Sequence, residues 1–122
     1  MKLFLDDVRK PYDVFRTTIN PVYENDKEWV IVRDYFQFID FIRKFGLPKL
    51  ISFDHDLSYE HYLPENQVDI NYEDVTEKTG YDCAKWLVGF CEVNELELPN
   101  FLVHSANPEG KRNIEEYLNS FV

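Results

Sequence analysis

The sequence is short of cysteines, short of cations and without any long apolar run, and each shortage excludes something. Cysteine occurs twice in 122 residues, at Cys83 and Cys91. On one helix the two would stand about 12 Å apart along the axis. A disulfide needs Cα atoms closer than about 7 Å, so the spacing predicts two reduced, buried thiols and a cytoplasmic setting. Lysine and arginine number 13 against 23 aspartates and glutamates, a net charge of −10. That balance opposes tight binding to a long nucleic acid, where each phosphate contact calls for a cation. It leaves room for a small phosphorylated ligand held through a metal, or for an RNA end. No apolar stretch approaches the roughly 18 residues of a membrane span. Asp6, Asp7 and Arg9 interrupt the first apolar run too early for a signal peptide. Internal repeats, linkers and low-complexity segments are also missing.

What is present is material for one domain. An apolar content of 44% with many aromatics supports a core that needs no disulfide or metal. Lys2–Leu5, Trp29–Val32, Leu50–Phe53 and Phe101–Val103 are short apolar runs and predict strands. The spacing predicts a helix over 34–45, capped by Asp34 and stopped by Gly46 and Pro48, with Tyr35, Phe38, Ile39, Ile42 and Phe45 as its apolar stripe. Thr79-Gly80-Tyr81-Asp82 resembles a capping box. The helix it opens should bury Cys83, Ala84, Leu87, Phe90 and Cys91 and end near Asn94. Asn107-Pro108 predicts the start of a last helix, with Ile114, Tyr117, Leu118 and Phe121 turned inward. Residues 10–28 contain Pro11 and Pro21 and have no clean helical period. They read as irregular, with at most a turn or two of helix around Tyr12, Val14, Phe15 and Ile19. From Asp54 to Lys78 there are eight carboxylates and one lysine. Residues 58–78 therefore read as an acidic, Tyr-rich insertion, either a lid or a plain surface loop. Short apolar strands alternating with helices predict a parallel sheet covered on both faces, in the order 2-1-3-4.

In that order the C-terminal ends of the first, third and fourth strands lie side by side, where open parallel sheets bind ligands. They carry Asp6 and Asp7, then Asp54, His55 and Asp56, then His104, Ser105 and Asn107. Any one group reads as readily as a turn, a cap or a structural histidine. Three at one edge point to a shared site, because gathered carboxylates are costly unless a cation or proton shares them. Mg²⁺, or Mn²⁺ in its place, takes one or two carboxylates with waters and substrate phosphate. Asp6 or Asp7 together with Asp54 offers that set. On the anion side stand Arg9 as a bidentate clamp, the Ser105 hydroxyl, and the helix N-terminus at Asn107. Glu109 works against that terminus, since it already sits at the positive end of the dipole. His61 lies in the insertion and reads as solvated.

Leu-Phe-Leu-Asp-Asp at 3–7, Phe-Asp at 53–54 and Ser105 resemble the receiver domain of response regulators. That resemblance implies Asp6, Asp7 and Asp54 as Mg²⁺ ligands, Asp54 as phosphoryl acceptor and Ser105 as its hydroxyl contact. The sequence departs from it in having histidines at the edge, and in lacking a fifth strand and the lysine that ends it; Lys111 falls on a helix. A closer resemblance runs through nearly the whole chain. Leu-Phe-Leu-Asp-Asp-x-Arg-x-Pro at 3–11, Ser-Phe-Asp-His-Asp-Leu at 52–57, Thr-Gly-Tyr-Asp at 79–82 with Trp86-Leu87, and Val-His-Ser-Ala-Asn-Pro-x-Gly at 103–110 resemble the cyclic-phosphate processing receiver domain family. These are divergent receivers of bacteria and phages. The resemblance implies a truncated, flavodoxin-like three-layer α/β fold. It also implies action on cyclic phosphate ends of nucleotides or RNA, in the manner of RNA repair.

The residues suit such chemistry. Opening a 2′,3′-cyclic phosphate takes a base for water and an acid for the leaving ribose oxygen. His55 and His104 are the imidazoles at the sheet edge, in an order the sequence does not assign. A divalent metal on Asp6, Asp7 and Asp54 can replace either role or stabilise phosphoryl oxygens. Arg9, Ser105 and Asn107 bind phosphate, and Asp56 orients a histidine or supports the metal ligands. A phospho-acceptor or degenerate signalling receiver, and a phosphate-ligand binding domain without turnover, are the alternatives. Fold alone does not choose among them.

Overall fold

The computed structural model of the protein describes residues 1–57 and 78–121. The acidic insertion read over 58–78, as lid or surface loop, therefore lies outside the described residues, apart from Lys78. Along the chain come β1 (Lys2–Leu5), α1 (Pro11–Thr18), two short 3₁₀ turns (Pro21–Tyr23 and Asp26–Glu28), β2 (Trp29–Val32), α2 (Tyr35–Phe45), β3 (Leu50–Phe53), α3 (Gly80–Val93), β4 (Asn100–Val103) and α4 (Pro108–Asn119). The strands form one parallel sheet in the order β2-β1-β3-β4, as the sequence predicts.

Register decides what the sheet can do. Leu5 stands opposite both Val32 and Phe53, and Phe53 stands opposite Val103. The four strands thus end level, and the residue after each falls into one row. The ladder runs one step beyond the strands. Asp6 N–H donates to the Val32 carbonyl at 3.1 Å, Asp54 N–H to Leu5 at 2.9 Å, and His104 N–H to Phe53 at 2.9 Å.

Side chains alternate across the sheet. Leu3, Leu5, Ile51, Phe53 and Val103 pack with Phe38 and Ile42 of α2, Cys83 and Leu87 of α3, and Ile114 and Leu118 of α4. Phe4 turns to the other face with Val14 of α1, Tyr23 and Trp29. Each fully buried Leu or Phe contributes roughly 1.5–3 kcal/mol, and Phe4, Phe38 and Phe53 are all completely buried. Helices cover both faces of this receiver-like α/β fold, and among the described residues the second face has only α1 and the 3₁₀ turns.

The local signals explain most boundaries. Thr79 N–H donates to Asp82 Oδ2 at 2.8 Å, the capping box expected at the start of α3. Asn107 Oδ1 accepts from Gly110 N–H at 3.0 Å, with Pro108 at the first position of α4. Two readings are corrected. Residues 11–18 form a helix, not an irregular segment: Pro11 opens it, and Val14 alone anchors it fully, too little apolar spacing to display a period. Phe45 and Phe121 face out, at 59% and 47% exposure, while Phe41 is buried in α2. Cys83 and Cys91 are free and buried on α3. Among the described residues no helix is long and apolar enough to cross a membrane.

Candidate functional site

Because the strands end level, Asp6, Asp54 and His104 follow β1, β3 and β4 as neighbours. One oxygen each from Asp6, Asp7 and Asp54 lies within 4.8 Å of the others. This acidic cluster could hold a metal ion. Asp6 and Asp54 are buried, and Asp7 is half-buried.

Asp6 has every lone-pair direction engaged. Its Oδ1 accepts from the backbone N–H groups of Val8 at 3.0 Å and Arg9 at 2.7 Å. Its Oδ2 accepts from Arg9 Nε at 2.9 Å and His104 Nε2 at 3.0 Å. A carboxylate offers about four such directions. Burial alone would raise its pKa, but the bonds from His104, Arg9 and Val8 outweigh burial and hold Asp6 well below the usual carboxylate range. The loop carrying these groups is fastened from β2: Arg33 Nη1 donates to the Arg9 carbonyl at 2.7 Å and to that of Asp6 at 3.3 Å.

Asp54 is the opposite case. Burial, with Asp6 and Asp7 beside it, pushes its carboxyl up to about 7 against the pull of Arg9 and of the His55 N–H. Arg9 Nη2 lies 3.6 Å from Asp54 Oδ1, so one guanidinium spans both carboxylates. The donor set fits a divalent cation: hard oxygens, crowded, with one carboxyl carrying excess negative potential.

The two histidines differ. The His104 side chain is wholly buried and stacked on Phe4, ring centroids 4.3 Å apart. Burial lowers its pKa despite the bond to Asp6, so the ring is neutral. Its Nε2 faces an ionised carboxylate and must carry the hydrogen. Its Nδ1, 2.6 Å from Ser52 Oγ, is then an acceptor. Ser52 therefore donates to it, and Tyr23 O–H, 2.6 Å from the same oxygen, donates to Ser52. Tyr23, Ser52, His104 and Asp6 form one chain of hydrogen bonds with a single direction.

His55 instead reaches the surface. Its Nδ1 lies 2.9 Å from Asp56 Oδ1, and the Asp56 side chain is 70% exposed. A hydrogen on Nδ1 satisfies the Asp56 carboxylate and makes Nε2 the acceptor nitrogen of that tautomer. The ring packs on the Cα of Gly110 in the first turn of α4, where any Cβ would collide with it. Gly80, at the start of α3, touches the Asp54 carbonyl as closely, and its N–H donates to the His55 carbonyl at 2.8 Å.

Ser105 Oγ accepts from Asn107 N–H at 3.1 Å, and among the described residues its hydroxyl hydrogen has no acceptor. Asn107 is spent on its cap and on long contacts of 3.5 Å to both oxygens of Asp56. The row thus gathers Asp6, Asp7, Arg9, Asp54 and His104, with His55 and Asp56 joined through Asn107 at one side. Sequence reasoning missed Tyr23, Ser52 and Arg33. Gly80 and Gly110 stood within the quoted motifs, and a glycine where a helix begins is the signal for such close approach.

A family model described as the cyclic-phosphate processing receiver domain matches residues 1–120. The chain belongs to this family. No curated protein and no solved structure gives a match.

Proposed function

We propose, from that membership, that the protein is a metal-dependent phosphoesterase that opens cyclic phosphate ends of nucleotides or RNA, as in RNA repair. The observation that carries this reading is the acidic cluster of Asp6, Asp7 and Asp54 beside Arg9 and the half-buried His55 imidazole paired with Asp56. Asp7 and Asp54 would hold the metal directly, and Asp6, whose oxygens are engaged, would add charge. A bound Mg²⁺ or Mn²⁺ supplies Lewis-acid stabilisation of phosphoryl oxygens.

The chain's own groups divide the remaining work. His55 Nε2 accepts a proton from the attacking water, with Asp56 holding the ring in that tautomer. The same imidazolium returns the proton to the departing ribose oxygen. Arg9 neutralises the phosphoryl oxygens beside Asp54, and Ser105 donates to one of them. His104 is a positioning residue: with both nitrogens engaged inside the protein, it holds Asp6. The expected ligand is a small phosphorylated molecule or an RNA end, not a long nucleic acid, and the buried free thiols suit the cytoplasm.

The test is hydrolysis of a 2′,3′-cyclic nucleotide, and of RNA ending in one, with Mg²⁺, Mn²⁺ or EDTA. Metal-dependent turnover that Asp54→Asn and His55→Ala abolish is the expected result. No turnover under any metal, or turnover indifferent to both substitutions, overturns the reading. The Arg9–Asp54 contact at 3.6 Å also suits a phospho-acceptor receiver. A mass adduct after acetyl phosphate treatment, lost in Asp54→Asn, would favour that instead.

A further inference from the structure

Among the described residues β4 is an edge strand, paired with β3 alone. His104 N–H points at β3. Alternate residues of a parallel strand turn both backbone groups to the same side. Leu102 therefore also faces β3, and the N–H and C=O groups of Phe101 and Val103 face outward. Among the described residues nothing hydrogen-bonds to them.

Beside this edge lies a cleft of about 390 Å³. Its lining includes Leu102 and Val103, Asn20 beyond the end of α1, Lys111 of α4, and His104 and Ser105 of the site row. The cleft exists because α1 and the 3₁₀ turns cover their face of the sheet only in part, leaving Leu102 half-buried. A larger cleft of about 520 Å³, between α3 and the loop after it, meets no residue of the row.

The smaller cleft combines an apolar side chain, a short run of backbone donors and acceptors, one ammonium and the Glu115 carboxylate of α4, and Ser105 is part of its lining. Its size is that of a small-molecule site. A flat heteroaromatic ring with donors and acceptors along its rim matches the two outward residues. A docking strand does not, since the edge is only four residues long. We propose that this cleft binds the nucleoside of a nucleotide or RNA 3′ end whose phosphate lies on the site row, against Arg9 and Ser105. The inference rests on the proposed function for the phosphate, and it adds where the nucleoside is held.

The experiment is an NMR titration of the ¹⁵N-labelled full chain in Mg²⁺ with adenosine 3′-monophosphate, and separately with inorganic phosphate. The nucleotide should shift the amides of Leu102, Val103, Ser105 and Lys111, and phosphate should leave those of Leu102 and Val103 in place. Lys111→Glu, on the helix surface, should weaken the nucleotide about fivefold, the scale of one rim charge. Cleft amides unmoved by the nucleotide, identical footprints for both ligands, or an unchanged nucleotide Kd in Lys111→Glu would each overturn the proposal. The readout is binding, so a failure of hydrolysis leaves it standing, and hydrolysis with an unmoved cleft refutes it alone.

Discussion

Two carboxylate–imidazole pairs flank the acidic cluster, and they do different things. Asp6 and His104 are buried, and every polar atom of both has a partner inside the protein. Asp56 is exposed and His55 half-buried, with only one ring nitrogen engaged among the described residues. In the proposed mechanism the same two functional groups serve as a fixed strut in one place and a proton carrier in the other. Burial and the number of satisfied lone pairs decide the role, more than residue type does.

The largest test of that contrast is Asp54→Asn. It should abolish hydrolysis and yet stabilise the metal-free protein. The folded-state pKa of Asp54, about 7, lies above the ordinary 3.8. Below pH 4 both folded and unfolded states are protonated and nothing is lost. Between about pH 4 and 7 stability falls by about 1.4 kcal/mol per pH unit, and above 7 the loss is complete, at most about 4 kcal/mol. Asp6 has the opposite sign, and its contribution disappears only as the solution becomes strongly acidic. Urea unfolding of wild type and Asp54→Asn in EDTA across pH 4–8 should therefore diverge upward. Parallel curves would mean that the cluster does not crowd Asp54.

His104→Ala and His55→Ala separate the two pairs next. Deleting His104 leaves a cavity against Phe4 and strands Asp6 and Ser52, a loss of about 3–5 kcal/mol in unfolding free energy. Deleting His55 should lower kcat by about 10²–10⁴, with a thermal midpoint within a few degrees of wild type. A stable, inactive His104→Ala beside a fully active His55→Ala would reverse the assignment.

The smallest effect sharpens the direction of the buried chain. Tyr23→Phe removes only its terminal donor, and Ser52 can still donate to His104. The cost should be about 1 kcal/mol, and the ¹⁵N shifts of His104 should keep Nε2 as the protonated nitrogen. Ser52→Ala, which leaves Nδ1 without a donor, should cost more. Equal losses would mean that the bonds run the other way.

The sheet order, the capping signals and the cluster were legible because they depend on short-range chemistry. Apolar runs alternate with helical stripes, and acidic pairs follow strands. The first helix was not, since Val14 is its only fully buried apolar side chain besides Pro11. Nor was the difference between the histidines. Both follow an apolar strand by one or two positions, and the distinction comes from Ser52 and Tyr23, which lie 52 and 81 residues away from His104 in the chain. Ser52 sits inside a strand facing the α1 side, where a lone hydroxyl gives no periodic signal. Its meaning exists only once β3 stands between Tyr23 and β4.

The one-step extension of the ladder beyond each strand end has a further consequence. The amide protons of Asp6, Asp54 and His104 belong to the sheet's own hydrogen bonding, so they exchange with solvent only when the sheet itself opens. The reactive row lies at the edge of the molecule yet shares the cooperative unit of its centre. Fraying that loosens surface loops stops short of the Asp6 and Asp54 backbone, so those two carboxylates are held from the sheet itself.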